Sequence, residues 1–245
     1  MINQLMHAIE DQGLNSLLYN IFFYAGTVAV FVFAFLHSRN YKLPFRKSIP
    51  FVVIVYLLSF VWMFFLYWVM TGFKQWGGNN IVRIFVWVPL FAYPVCKIMK
   101  LDYKTMCDYI APLICVQHGV SHFGCIFEGC CHGYPWEPGI YNHQLGVNTF
   151  PNQPIEALVA VGIVIYIFMR EKKQNFILDG LNYPLMLMLF GYSRFLLEFA
   201  RDNEKLFLGI SELALWALFA ALVGTAWYAT VKERNRRKAS AKKKH

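Results

Sequence analysis

Residues 50–72 read P-F-V-V-I-V-Y-L-L-S-F-V-W-M-F-F-L-Y-W-V-M-T-G, twenty-three positions without a charged side chain. An α-helix rises ~1.5 Å per residue, so ~20 apolar residues cross the hydrocarbon core of a bilayer. Outward from this stretch, further apolar segments occupy 15–36, 80–98, 106–121, 154–169, 180–199 and 208–231. Together they predict an all-α integral membrane protein, a bundle of about seven transmembrane helices. The composition agrees. Of 245 residues, 58% are hydrophobic and 15% charged, where soluble domains sit near half and about a quarter. The fourth segment is short and contains His118, which places it against neighbouring helices rather than lipid. No cleavable signal peptide is expected, because the first dozen residues are polar and include Glu10 and Asp11.

The formal net charge is +9. Such a balance raises nucleic acid as a partner, but the charge lies in short loops and in a tail beside apolar runs. Residues 232–245 alone carry eight Lys or Arg and one Glu. One set of alternate loops holds Arg39, Lys42, Arg46 and Lys47, then Lys97, Lys100 and Lys104, then Arg170, Lys172 and Lys173. With the tail, that side holds eighteen of the twenty-three basic residues. The positive-inside rule then predicts an outer N-terminus and a cytoplasmic C-terminus in a multi-pass protein of the cytoplasmic membrane. The expected organisation is a single transmembrane helical domain over 1–231, with an outer loop at about 122–153, followed by a basic cytoplasmic tail over 232–245. The tail anchors and orients the chain and has anionic lipid as its natural contact. No nucleic-acid partner is expected.

Charged groups at membrane depth are costly unless paired or hydrated, so they mark structural locks or sites. In the sixth segment Arg194, Glu198 and Arg201 follow Phe190 at spacings of four, four and three, which puts them on one helix face. An ion pair that locks the bundle is one reading. The other is a cavity for an anionic lipid headgroup, with arginine suited to phosphate. The fifth segment opens with Pro151-Asn152-Gln153-Pro154-Ile155-Glu156. There Gln153 and Glu156 share a face, either as helix-start capping or facing the same cavity. Asp108, near the start of the fourth segment, reads as a helix cap rather than a catalytic group.

Residues 118–133 read H-G-V-S-H-F-G-C-I-F-E-G-C-C-H-G and hold three of six cysteines and three of seven histidines. Three readings compete. His122, Cys125, Cys130 or Cys131, and His132 offer nitrogen and sulfur ligands to zinc, but their spacing matches no standard zinc ribbon. Cys125 can pair with Cys130 or Cys131 in a structural disulfide, or form a thiol redox pair, on an oxidising outer face. Alternatively, Gly124, Gly129 and Gly133 make a turn that lets the backbone approach a lipid headgroup. Cys96, Cys107 and Cys115 read as inert. No metal and no cofactor is assigned.

Four blocks carry a family resemblance. Asp108-Tyr109-Ile110-Ala111-Pro112 resembles D-F/Y-I-A-P, and Ser121–Gly133 lies without gaps over G-R-I/L-G-N-F-x-N-G-E-x-x-G. Phe150–Glu156 resembles H-P-S-Q-L-Y-E apart from its first position, and Phe190–Arg201 resembles Y-G-x-x-R-F-x-x-E-F-x-R. In this order, over roughly 108–201, they resemble the bacterial phosphatidylglycerol–prolipoprotein diacylglyceryl transferases, a seven-span family with an outer N-terminus. The matching positions are Gly124, Gly129, Gly133, Gln153, Glu156, Arg194, Glu198 and Arg201. The departures are also specific. The signature Arg falls on His122, its Asn on Cys125, its Glu on Cys130, and the Tyr of the last block on Phe190. The family's S-x-H-G-G histidine has no counterpart between Asn80 and Pro89, where Arg83 is the nearest polar side chain.

The resemblance implies a diverged, lipid-using membrane transferase that moves diacylglyceryl from a phosphatidylglycerol-like phospholipid to an acceptor thiol. The acceptor implied is a cysteine of a secreted precursor protein, although a changed acceptor is also open. His122, Arg194, Glu198 and Cys125 are the catalytic candidates. Arg194, Arg201, Gly124, Gly129, Gly133, Gln153 and Glu156 are the headgroup-binding candidates. Cys125, Cys130, Cys131 and His132 form a candidate thiol site. The alternative is a non-catalytic or thiol-redox membrane protein that keeps the same scaffold.

Overall fold

The computed structural model describes residues 12–74, 83–176, 179–206 and 209–242. Among them are seven helices: α1 (Gln12–Asn40), α2 (Phe45–Met70), α3 (Val88–Met99), α4 (Tyr103–Glu128), α5 (Asn152–Lys173), α6 (Asn182–Glu198) and α7 (Glu212–Lys242). A small antiparallel hairpin, β1 (Pro135–Asn142) with β2 (Val147–Thr149), lies between α4 and α5. Helices α1, α2, α4, α5 and α7 are long and apolar enough to cross a membrane, whereas α3 and α6 have 12 and 17 residues. The chain is an all-α multi-pass membrane protein. Outward-facing Leu17, Val28, Leu57, Val61, Leu158 and Leu222 are more than half exposed, as expected where lipid rather than water is the neighbour.

Two helix ends differ from the sequence expectation in ways that matter. Helix α4 runs past the expected span 106–121 to Glu128, so His122 and Cys125 lie on its last turns instead of in a loop. Helix α7 continues through the basic segment to Lys242. The first residues of the expected third span, 80–82, fall outside the described residues.

Helix α4 is the axis of the bundle, with buried residues on most of its faces. Asp102 caps its start, accepting from the Thr105 amide at 2.8 Å and from the Thr105 hydroxyl at 2.7 Å. Asp108 also caps a helix, but a different one from its own. From the interior of α4 its carboxylate accepts from the backbone amides of Gly180 at 2.7 Å, Asn182 at 2.8 Å and Tyr183 at 3.4 Å, closing the start of α6.

Small residues set the close helix approaches, as membrane packing requires. A Cβ at Gly124 would stand 3.0 Å from both Tyr19 O and Phe22 Cβ of α1. A Cβ at Gly191 would meet the Ala221 amide nitrogen of α7 at 2.5 Å. These contacts bring α1 against α4 and α7 against α6. A Cβ at Gly119 would stand 3.5 Å from Ala157 O, so α5 also lies against α4.

Candidate functional site

Three helix ends meet at one pole of the bundle, and Glu156 joins them. Its position on the second turn of α5 turns the carboxylate inward, where only 2% of the residue is exposed. Glu156 Oε1 lies 3.0 Å from Arg194 Nη1, and it accepts from Arg201 at 2.7 Å (Nη2) and 3.1 Å (Nε). Glu156 Oε2 lies 2.7 Å from His122 Nε2 and 3.3 Å from His118 Nε2. The helical period puts His118 and His122 one turn apart on α4, with ring centroids 4.0 Å apart.

Arg194 and Glu198 form the ion pair that their four-residue spacing predicts, Nη1 to Oε2 at 2.6 Å. Glu198 Oε2 also lies 3.8 Å from Arg201 Nε. Its Oε1 accepts from Ser211 at 2.9 Å and from Asn203. Two guanidiniums therefore face two carboxylates, and all four side chains are buried. An isolated buried charge costs several kcal/mol, so the cluster persists only as a balanced whole. Arg194 is only 4% exposed. It is held between the carboxylates of Glu156 and Glu198. Arg194 Nε is buried without a hydrogen-bond partner among the described residues, so one donor of the fork is unspent.

Other candidates support this network. Gln153 donates to the Cys130 carbonyl at 2.9 Å and so ties the start of α5 to the chain beyond α4. Gly129 ends α4 in the left-handed region, φ 74°, where glycine carries no Cβ penalty. At Gly133 a Cβ would sit 2.6 Å from Phe150 Cβ and 2.7 Å from Ala200 O. There Tyr134 N donates to Ala200 O at 3.1 Å, and Gly133 bridges to Arg201, pinning the segment that carries that arginine. The surroundings of Gly124, Gly129 and Gly133 are protein contacts that position the site.

The thiols gather beside the network. All six cysteines are free. A His122 ring nitrogen and the sulfurs of Cys125 and Cys131 lie within 4.8 Å of one another. Cys125 hydrogen bonds with both Cys130 and Cys131. Hydrogen bonds from Cys125 and Cys130, with the positive field of Arg201, hold the Cys131 thiol well below its ordinary pKa. Cys131 is a non-glycine residue at φ 61°, a backbone conformation that costs about 1–2 kcal/mol. His132 stays apart from this group, with Nδ1 3.0 Å from the Gly133 carbonyl. Arg83 is also elsewhere, paired with Glu212 of α7 at 2.8 and 3.1 Å.

Sequence reasoning passed over His118, treating it only as a sign of burial. Its signal was the four-residue spacing to His122. Its ring packs edge-on to Phe190 at 4.8 Å and lies 6.4 Å from Phe85, whose ring is 4.5 Å from Phe190. Phe85 also lines an apolar cavity between α1, α2, α3 and α4, with Val30, Val55, Met63 and Leu113. The charged cluster and a hydrocarbon-lined space thus share an aromatic wall.

Comparison with known proteins places this arrangement. A phosphatidylglycerol–prolipoprotein diacylglyceryl transferase (transferase 1) of Clostridium perfringens (strain 13 / Type A) is 23% identical over 216 residues, 79% of each chain. Transferase 2 of the same organism is 18% identical over 162 residues, 62% of each chain. A protein of the same name from Leptospira interrogans is 26% identical over 148 residues, 56% of this chain and 44% of its own. The family model described as prolipoprotein diacylglyceryl transferase matches residues 19–230, a range that contains every member of the Glu156 cluster. With the family model matched over most of its helices, the chain belongs to the prolipoprotein diacylglyceryl transferase family, and is a transferase-like membrane enzyme.

Proposed function

We propose that the chain transfers diacylglyceryl from a phosphatidylglycerol-like lipid to the cysteine thiol of a secreted precursor protein, at the outer face of the cytoplasmic membrane. In this reaction the thiol sulfur attacks the glycerol carbon that bears the phosphoester. A carbon–sulfur bond forms, the carbon–oxygen bond to phosphate breaks, and glycerol phosphate leaves with the bonding pair. The thiol proton passes to a base.

The observation that carries the proposal is the position of the Glu156 cluster against the apolar cavity, with Phe85 and Phe190 between them. Acyl chains need the apolar side and the leaving phosphate needs the arginines. Arg194 and Arg201 are the cations proposed for the phosphate, with Glu198 orienting Arg194. A phosphate that enters this pole replaces a carboxylate on the guanidiniums, and the unspent Arg194 Nε is the first donor it meets. His118 is the proposed base. Its Nε2 is backed by Glu156, and its ring lies on the aromatic wall. His122 holds the other side of the same carboxylate oxygen and is a positioning residue. Gln153 and the three glycines hold the frame. The proposed topology has the N-terminus outside. Residues 1–231 form one membrane domain, and 232–245 form a cytoplasmic tail.

The test is complementation in cells depleted of their own diacylglyceryl transferase, with the mobility of a prelipoprotein followed. The lipid-modified form should appear with the unsubstituted chain and disappear with Arg194→Ala. Unmodified precursor despite correct insertion rejects this reaction. A thiol-redox protein on the same scaffold would give the opposite pattern, losing its activity with Cys130→Ser and tolerating Arg194→Ala.

A further inference from the structure

We propose that His122, Cys125, Cys130 and Cys131 form a binding site for a borderline-soft divalent cation, zinc foremost. The ring nitrogen of His122 and the sulfurs of Cys125 and Cys131 already lie within 4.8 Å of one another. In a tetrahedral zinc site with Zn–S of ~2.3 Å, neighbouring donors stand ~3.8 Å apart. The three donors are therefore within about an ångström of ligating separation. Cys130 supplies the fourth. Cys130 adjoins Cys131 and hydrogen bonds with Cys125, but its sulfur stands outside the 4.8 Å group, so it must turn inward to complete the site. The backbone at Cys131 is left-handed, φ 61°, directly after Cys130.

A second, independent observation concerns His122. Its Nε2 lies 2.7 Å from Glu156 Oε2. Its Nδ1 is buried with no hydrogen-bond partner among the described residues. Metal-ligating histidines characteristically give their other ring N–H to a carboxylate, which fixes the tautomer and makes the free nitrogen a better donor. Here the carboxylate stands 2.7 Å from Nε2, close enough to accept from it after a small rotation, and Nδ1 has no partner among the described residues. Three sulfurs and one imidazole are a donor set that favours zinc over oxygen-preferring cations such as magnesium or calcium. With all four positions filled by protein, the site is of the closed, structural kind. It would tie the segment after α4 to the last turn of that helix and couple it through Glu156 to both arginines. His118 stays outside the donor set and remains available to the transferase chemistry. Metal content, rather than activity, reads out this site, so it stands or falls separately from lipid transfer.

The experiment uses the full chain purified in detergent under reducing conditions, loaded with zinc or cobalt(II) and desalted. One metal per chain is expected by elemental mass spectrometry, with a thiolate-to-cobalt charge-transfer band in the near ultraviolet. Cys125→Ser and Cys131→Ser should each lower retained metal at least tenfold, whereas Cys115→Ser, a buried cysteine outside the cluster, should leave it unchanged. Where a variant fails to fold, the unsubstituted chain still decides: bound zinc should protect Cys125, Cys130 and Cys131 from maleimide, mapped by peptide mass spectrometry. Absence of the charge-transfer band, metal retention unaffected by Cys125→Ser and Cys131→Ser, or a disulfide joining two of the three cluster cysteines in the native protein would each overturn the proposal.

Discussion

Asp108 and Glu156 are both carboxylates sealed inside the helical bundle, 0% and 2% exposed, yet they are satisfied in opposite ways. Asp108 takes three backbone amides at the start of α6. Those donors are fixed by the chain and cannot leave. Glu156 takes two guanidiniums and two imidazoles from α4, α6 and the segment after α6. Those donors sit on rotatable side chains, and the ring and guanidinium still carry polar atoms without partners. A carboxylate held by backbone builds a fold. One held by side chains with unspent donors is able to exchange partners with an incoming anion. Both carboxylates are buried, and the proposed function draws on the Glu156 cluster alone.

Breaking Glu156 should give the largest effect. Glu156→Ala leaves Arg194 and Arg201 to share Glu198, and removal of one partner from a buried ion cluster costs about 3–5 kcal/mol. Thermal unfolding in detergent should fall steeply and transferase activity should vanish. Glu156→Gln keeps the shape and sharpens the contrast. It should fold better than the alanine variant yet lose about 10²–10⁴-fold in turnover, the range set by a displaced base. Asp108→Asn is the counterpart. It should cost about 1–3 kcal/mol, the penalty for poorly satisfied buried donors, while activity per folded molecule stays near that of the parent. The contrast fails if Asp108→Asn abolishes turnover in folded protein while Glu156→Gln retains it.

Arg194→Lys probes the same pole more gently. The charge survives, but the planar fork that contacts Glu156 and Glu198 does not. Precursor modification should slow at least tenfold with only a small loss of stability. Smaller still is Gly124→Ala. Its Cβ would press on Tyr19 and Phe22 of α1 at 3.0 Å, a modest overpacking worth about 1–3 kcal/mol. The expected result is a lower unfolding temperature with lipid transfer largely retained, because the atoms nearest the added Cβ belong to Tyr19 and Phe22 of α1.

Much of the architecture was legible because its signals are local. Uncharged runs as long as 50–72 have one stable solution in a bilayer, and the four-residue step from Arg194 to Glu198 places both on one face whatever surrounds them. The end of α4 was less legible. Gly124, Gly129 and the cysteines near them suggested a loop from about 122, but the helix continues to Glu128, with α1 packed against Gly124 and α5 against Gly119. The glycines of the signature were read as ligand-facing. The left-handed end at Gly129 and the close approach of Ala200 to Gly133 give them structural duties that composition alone does not distinguish from binding.

By itself, the order of residues determined that this chain enters a membrane, where its long apolar helices run, and which polar side chains had to be explained at depth. Hydrophobicity and helical period depend only on neighbours a few positions apart. Tertiary structure decided that Glu156, a residue readable as a helix-start group, is where Arg194, Arg201, His118 and His122 converge, and that Cys125 and Cys131 gather beside the His122 imidazole. Such convergence rests on the relative placement of α4, α5 and α6, which is set by glycine-mediated contacts between helices distant in the chain, and no local pattern encodes it.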